Sequence, residues 1–268
     1  MNLKIVTGNK IFKSIPLIVL VSLFISLFNI SELTKYNIPN LNSSHLIVFS
    51  YGYLDPSSIK QLIPVIIWIS PQLLLIYLLG GSIYNNLQNK IIYTFTRTNK
   101  RIKWFFNQSN YLFINVFLFY LINFLITILV GSLNNIEIIT KNVLIILIVL
   151  LIQVFGSYLL LLFINMLSLY FKISYSYVAV LSLTLFLIMF SGLIFEFSRS
   201  HIKFIKWLPT SQSFISWHNL YLVHDFQNLI HIDYLEGFKL NFTFSYYFIF
   251  YLIIMSFSMR KINKMDII

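Results

Sequence analysis

Six long apolar stretches of this chain, residues 15–30, 62–81, 111–130, 142–171, 175–195 and 242–257, contain no Asp, Glu, Lys, Arg or His. The hydrocarbon core of a bilayer is about 30 Å thick and takes about 20 apolar residues of helix to cross. Inside it every backbone N–H and C=O must be paired within the protein, which leaves helices and closed barrels as spanning forms. Barrel strands alternate apolar and polar residues, and these blocks do not. The expected fold is therefore all-α: a polytopic integral membrane protein with about six transmembrane helices, residues 1–268 forming one transmembrane domain. Composition agrees, because 58% of the residues are hydrophobic and 10% are charged, against about a quarter charged in soluble domains.

The charges that remain are mostly positive, with a formal net charge of +11. They fall in short clusters between apolar blocks, too sparse to build a basic groove, so no nucleic-acid partner is expected. In membranes such clusters set orientation. With the N-terminus inside, Lys4, Lys10, Lys13, Lys90, Arg97, Lys100, Arg101, Lys103, Lys172, Arg260, Lys261 and Lys264 all lie on the inner side, and Asp266 is the only acid there. Both termini are expected to be cytoplasmic. The lysines ahead of residue 15 resemble the start of a signal peptide. Residues 28–32 offer no small-residue cleavage site, so the first stretch is read as a retained spanning helix with a short interfacial lead over 3–13.

The spanning stretches carry no ionisable group at depth, which argues against a proton-coupled exchanger or a charged-ion channel. Their polar residues are mild: Ser70, Gln72, Asn115, Asn123, Gln153 and Asn165. Such side chains either hydrogen-bond neighbouring helices or line a path for an amphipathic substrate, for which Gln72, Asn115, Asn123, Gln153 and Asn165 are the candidates. Pro64 and Pro71 should kink the second helix. The fourth stretch is long enough to overshoot the bilayer, and residues 31–60 read as a polar, turn-rich loop. The chain has no Cys, so neither disulfides nor thiolate metal sites are possible. It has no G-x-x-x-x-G-K-[ST], H-E-x-x-H or G-x-S-x-G motif. No catalytic residue and no directly bound cofactor is expected.

Two segments between helices carry more information. Residues 89–106 hold Lys90, Arg97, Lys100, Arg101 and Lys103 without an acid. Read as a helix, Ile91, Phe95, Ile102, Phe105 and Phe106 fall near one side. A helix of this kind can lie on anionic headgroups or dock on a cytoplasmic partner. Residues 196–240 mix Trp207, Trp217, Tyr221 and Phe226 with His201, His218, His224 and His231. Zinc sites on helices favour histidines four apart, and no such pair exists, so no metal is expected. Aromatic residues of this kind belong at the headgroup level.

The order of these elements resembles a small ABC-2-type permease, the membrane subunit of an ATP-binding-cassette transporter. The likeness covers nearly the whole chain: a basic lead, six helices, a basic helix between the second and third, and a longer outer segment before the sixth. Residues 96–104 resemble the R-x-x-x-R-x-x-W stretch of permeases from bacteriocin and lantibiotic loci in Gram-positive bacteria, and 207–211 resemble their W-L-P-x-S segment. The resemblance implies that the basic segment is a cytoplasmic coupling helix touching the ATPase subunit through Tyr93, Arg97, Lys100, Arg101, Lys103 and Trp104. It also implies short re-entrant helices capping the path at Trp207, Pro209 and Trp217. ATP and magnesium would be bound by separate cytoplasmic ATP-binding subunits. A second permease, the lipid membrane and a peptide substrate would complete the assembly in the bacterial cell membrane. The function it implies is export or expulsion of hydrophobic or amphipathic peptides, as toxin export or antimicrobial-peptide immunity. The alternatives are a non-transporting immunity or anchoring protein whose basic loop binds lipid, and a membrane-embedded enzyme using the outer histidines.

Overall fold

Helices occupy all six apolar stretches, and most run on past the uncharged residues. The computed structural model describes residues 8–35, 41–95, 101–138, 143–197, 202–230 and 234–264. A short helix α1, Gly8–Lys13, turns at Ser14 into α2, Ile15–Lys35. Next come α3, Ser43–Ile47, a π-helical turn over Val48–Gly52 and a 3-10 turn over Pro56–Lys60. The chain continues as α4, Leu62–Leu79; α5, Ser82–Phe95; α6, Arg101–Leu133; α7, Val143–Ser168; and α8, Ile173–Phe197. It closes with α9, Ile202–Ile205, two 3-10 turns at Ser211–Ser213 and Ile215–Trp217, α10, Tyr221–Ile230, and α11, Leu240–Asn263. Among the described residues there is no β-strand, only a backbone bridge between Asn42 and Glu137. Six helices are long and apolar enough to cross a membrane: α2, α4 with the start of α5, α6, α7, α8 and α11. The chain is a multi-pass membrane protein.

In lipid, helices gain little hydrophobic energy from meeting, so small side chains and hydrogen bonds hold them together. Ser22 and Ser26 on α2 face Asn123 and Thr127 on α6. The Ser22 hydroxyl donates to Asn123 Oδ1 at 2.7 Å, and the Ser26 and Thr127 hydroxyls lie 2.9 Å apart. Both pairs advance by one helical turn in the same direction, so α2 and α6 run parallel. Pro71, inside α4, cannot donate to the carbonyl of Ile67; the Ser70 hydroxyl takes that carbonyl instead at 2.8 Å. At 33 residues, α6 is about 50 Å long, well beyond a bilayer core. The expected overshoot belongs mainly here and less to α7, which has 26 residues and ends in a tight turn where Tyr170 and Phe171 both donate to the Leu167 carbonyl.

Residues 31–60 differ most from the sequence expectation of a turn-rich loop. α2 extends through Lys35, and the segment from α3 to the π-helical turn folds into the bundle, with Leu46, Ile47, Val48 and Tyr51 at most 2% exposed. Close approach makes this possible. A Cβ on Gly131 would lie 2.9 Å from Leu46, and one on Gly52 would lie 2.3 Å from the Ile215 side chain.

The two ends of the bundle differ in charge. Lys13, Arg101, Lys103, Lys172, Arg260, Lys261 and Lys264 gather where α2 and α6 start and α7 and α11 finish. Every described acid (Glu32, Asp55, Glu137, Glu196, Asp225 and Glu236) belongs to the opposite end, which also carries α3, α9 and α10.

Candidate functional site: an apolar cavity beneath two inserted segments

At the acidic end, the α3 insertion and the segment after α8 meet through hydrogen bonds to backbone carbonyls. Gln153 on α7 donates from Nε2 to the Tyr51 carbonyl at 2.6 Å and to the Ser213 carbonyl at 3.0 Å, joining the two segments. Trp68 on α4 donates to the same Tyr51 carbonyl at 3.1 Å, and Trp217 donates to the Leu54 carbonyl at 2.7 Å. The Phe214 ring packs 4.5 Å from both Trp68 and Trp217. His218 is fully buried. Its Nδ1 lies 3.0 Å from the Phe214 carbonyl and its Nε2 lies 2.8 Å from the Thr243 hydroxyl. Burial lowers the His218 pKa from 6.5 to about 4, so this imidazole is neutral and structural. Gln212 Nε2 donates to the Lys206 carbonyl.

Below this cap lies a cavity of about 350 Å³ between α4, α7, α8 and α11. Its wall is aliphatic and aromatic, including Phe163, Leu187, Tyr246, Phe250 and Phe257, and no charged side chain is among the described residues that line it. Polar groups are few: Gln72, Thr184, Ser213, Tyr247 and Thr210, whose Oγ1 has no hydrogen-bond partner. Large apolar walls with a few placed polar groups are the usual make-up of a small-molecule or peptide-side-chain site.

The residues expected on a substrate path divide. Gln72 lines the cavity. Asn115 donates to the Tyr111 carbonyl of its own helix at 2.7 Å, and Asn123 serves the contact between α2 and α6. Asn165 donates to the Gly80 carbonyl at 2.7 Å and accepts from Ile83 N and Tyr84 N, so it bridges the break between α4 and α5. Of the outer residues, Pro209 lines the cavity, and Trp217 is buried in the cap. Trp207 is exposed, 5.1 Å from the Phe242 ring, with Lys206 over both rings. His224 is half-buried and hydrogen-bonds Asn219, and among the described residues no cluster of His, Asp or Glu could hold a metal ion. His45, a lone histidine in a turn-rich stretch with no motif around it, is buried beside Phe226.

The basic segment is split between two helices. Tyr93 lies on α5, and Arg101, Lys103 and Trp104 form the first turn of α6, while Arg97 and Lys100 lie outside the described residues. A separate coupling helix is not an element of the described residues. Arg101 Nη1 donates to the Ile262 and Asn263 carbonyls at 3.5 and 3.4 Å, at the electronegative end of α11. Lys103 is exposed, and Trp104 packs partly buried against the core. The chain matches no protein-family model, no curated protein and no solved structure.

Proposed function

We propose that this chain is the membrane-spanning permease subunit of an ATP-binding-cassette exporter. It would move hydrophobic or amphipathic peptides out of a bacterial membrane with ATP hydrolysed by a separate subunit. The observation that carries this reading is the uncharged, aromatic-walled cavity among four spanning helices. Such a wall suits apolar peptide side chains and offers nothing to an ion or a sugar. The chain lacks a phosphate loop, so the energy has to come from a partner. The basic end, which has no acid among the described residues, fits the cytoplasmic side, where it would face both anionic lipid and that partner.

Arg101 supplies a physical route for coupling. It sits where a cytoplasmic subunit would reach α6, and it holds the end of α11, whose Tyr246, Tyr247, Phe250 and Phe257 form one side of the cavity. A partner that draws on Arg101 would therefore act on the cavity wall through α11. The test is gentle purification from the native membrane, with the associated proteins identified by mass spectrometry. A co-purifying ATPase, lost in Arg101→Glu/Lys103→Glu, is the expected result. Purification with no ATPase, under conditions that hold known transporter complexes together, would instead support a lipid-binding immunity or anchoring protein, which the basic first turn of α6 also suits.

A further inference from the structure

The apolar cavity opens sideways, toward the hydrocarbon of the membrane. Both α8 and α11 pack on α7 but scarcely on each other, which leaves the cavity as a slot between them. Leu183 on α8 and Ile253 and Phe257 on α11 line the slot and are 44%, 46% and 50% exposed, so its mouth is on the lipid-facing surface. Leu159, Val180 and Ile254 line it from within and are at most 9% exposed. Along α11 the slot begins at Tyr246, under the cap, and reaches Phe257. At about 1.5 Å per residue of helix that is about 17 Å. One leaflet of a bilayer core about 30 Å thick is about 15 Å deep, so the slot is about as long as one leaflet's acyl layer.

A cation marks the end of the slot at the cap. Phe242, Tyr246 and Phe250 recur every fourth residue along α11, with ring centroids 5.8 and 4.7 Å apart, and the last two line the cavity. Above them, Lys206 Nζ lies 5.5 Å from the Trp207 and Phe242 ring centroids. The Tyr246 hydroxyl donates to the Trp207 carbonyl at 2.6 Å, which ties the segment carrying Lys206 to the same face of α11. Glu236 is taken by Lys203 at 3.1 Å, and among the described residues no acid pairs with Lys206. Its ammonium has three donors, and the ring faces that attract it supply no oxygen to accept them. Trp and Tyr beside a Lys belong at the headgroup level. One turn of α11, about 6 Å, separates this cation from the top of the cavity and leaves room for glycerol.

We propose that the slot holds one acyl chain of an anionic phospholipid from the leaflet at the acidic end, with the lipid phosphate on Lys206. An acyl chain brings no polar group against a wall that offers few, whereas a peptide backbone brings an amide with every residue. The site rests on the spanning fold and not on the export reading. In an exporter the lipid would be the resting occupant that a peptide displaces.

The test places the purified chain in phosphatidylcholine vesicles with a trace of phosphatidylglycerol or phosphatidylcholine that carries a diazirine in one acyl chain. Adducts formed on illumination are mapped by peptide mass spectrometry. Phosphatidylglycerol should mark Leu159, Val180 and Ile254, which a chain lying on the outer surface does not reach. It should do so about fivefold more than phosphatidylcholine, the effect of one Lys near an anionic headgroup. Lys206→Gln should remove that preference and Lys206→Arg should restore it, while adducts on the exposed Leu185 and Phe186 stay unchanged. Adducts confined to exposed residues, equal inner yields from the two lipids, or a preference that survives Lys206→Gln overturns the proposal. Inner adducts from a photoreactive amphipathic peptide, with none from either lipid, assign the slot to peptide and overturn it as well. Co-purification of the ATPase is scored separately: inner lipid adducts without an ATPase sink the export reading alone, and an ATPase without inner adducts sinks this site alone.

Discussion

His218 illustrates how one residue ties the cap to pH. It is folded between the Phe214 carbonyl and the Thr243 hydroxyl, which also lies 2.6 Å from Gln212 Oε1. Burial holds its pKa at about 4, whereas an unfolded histidine titrates near 6.5. Between these values the unfolded chain binds more protons than the folded one, so stability rises with pH across that window. The contribution is complete above about pH 6.5 and is lost as pH falls toward about 4. The gap between the two values corresponds to about 3 kcal/mol. His45 acts in the same sense, its pKa lowered by burial with Asp225 opposing. The melting temperature of the purified protein should therefore fall between pH 7 and pH 5, and His218→Gln should flatten most of that slope. A wild-type melting temperature that does not change over this range would mean that His218 is not held neutral.

At the scale of elements, the break between α4 and α5 is fastened by Asn165 on α7. One side chain serves the Gly80 carbonyl and the first amides of α5, all of which a helix interruption leaves unpaired. Asn165→Leu should destabilise the protein by about 2–4 kcal/mol and loosen the basic end of α5. Asn165→Asp keeps the acceptor and should cost less. Melting curves of the two variants check the order, and equal loss would show that the amide makes no specific bond. The sequence marked Asn165 as a polar residue inside an apolar block, because that is visible in one dimension. It could not show which carbonyl the amide meets, since Gly80 is far away along the chain. The six spanning helices were legible for a similar reason, as each is a long run without charge. The α3 insertion was not. Residues 46–49 form an apolar run too short to stand out among Asn, Ser, Gly and Pro, and its burial depends on contacts with α6 and α7. The cavity was half legible: Gln72 and Pro209 were marked, but its aromatic wall looks like any lipid-facing surface until the helices are packed.

For the whole molecule, orientation decides which end meets which solution. All described cations outside the acidic end lie at the other end without a described acid. Each exposed Lys or Arg near an anionic leaflet is worth about 1 kcal/mol, so the sum should fix the basic end in the cytoplasm. The cap over the apolar cavity would then face outside, while Arg101 stays within reach of ATP. The absence of native cysteine permits a direct test with single substitutions at exposed positions. In intact cells a membrane-impermeant maleimide should label Glu236→Cys, which sits beside Lys203 on the acidic end. Lys264→Cys, just past α11, should label only after permeabilisation. The reverse pattern would place Arg101 away from ATP. No cytoplasmic ATPase could then act through it, and the cavity wall on α11 would need a different source of movement.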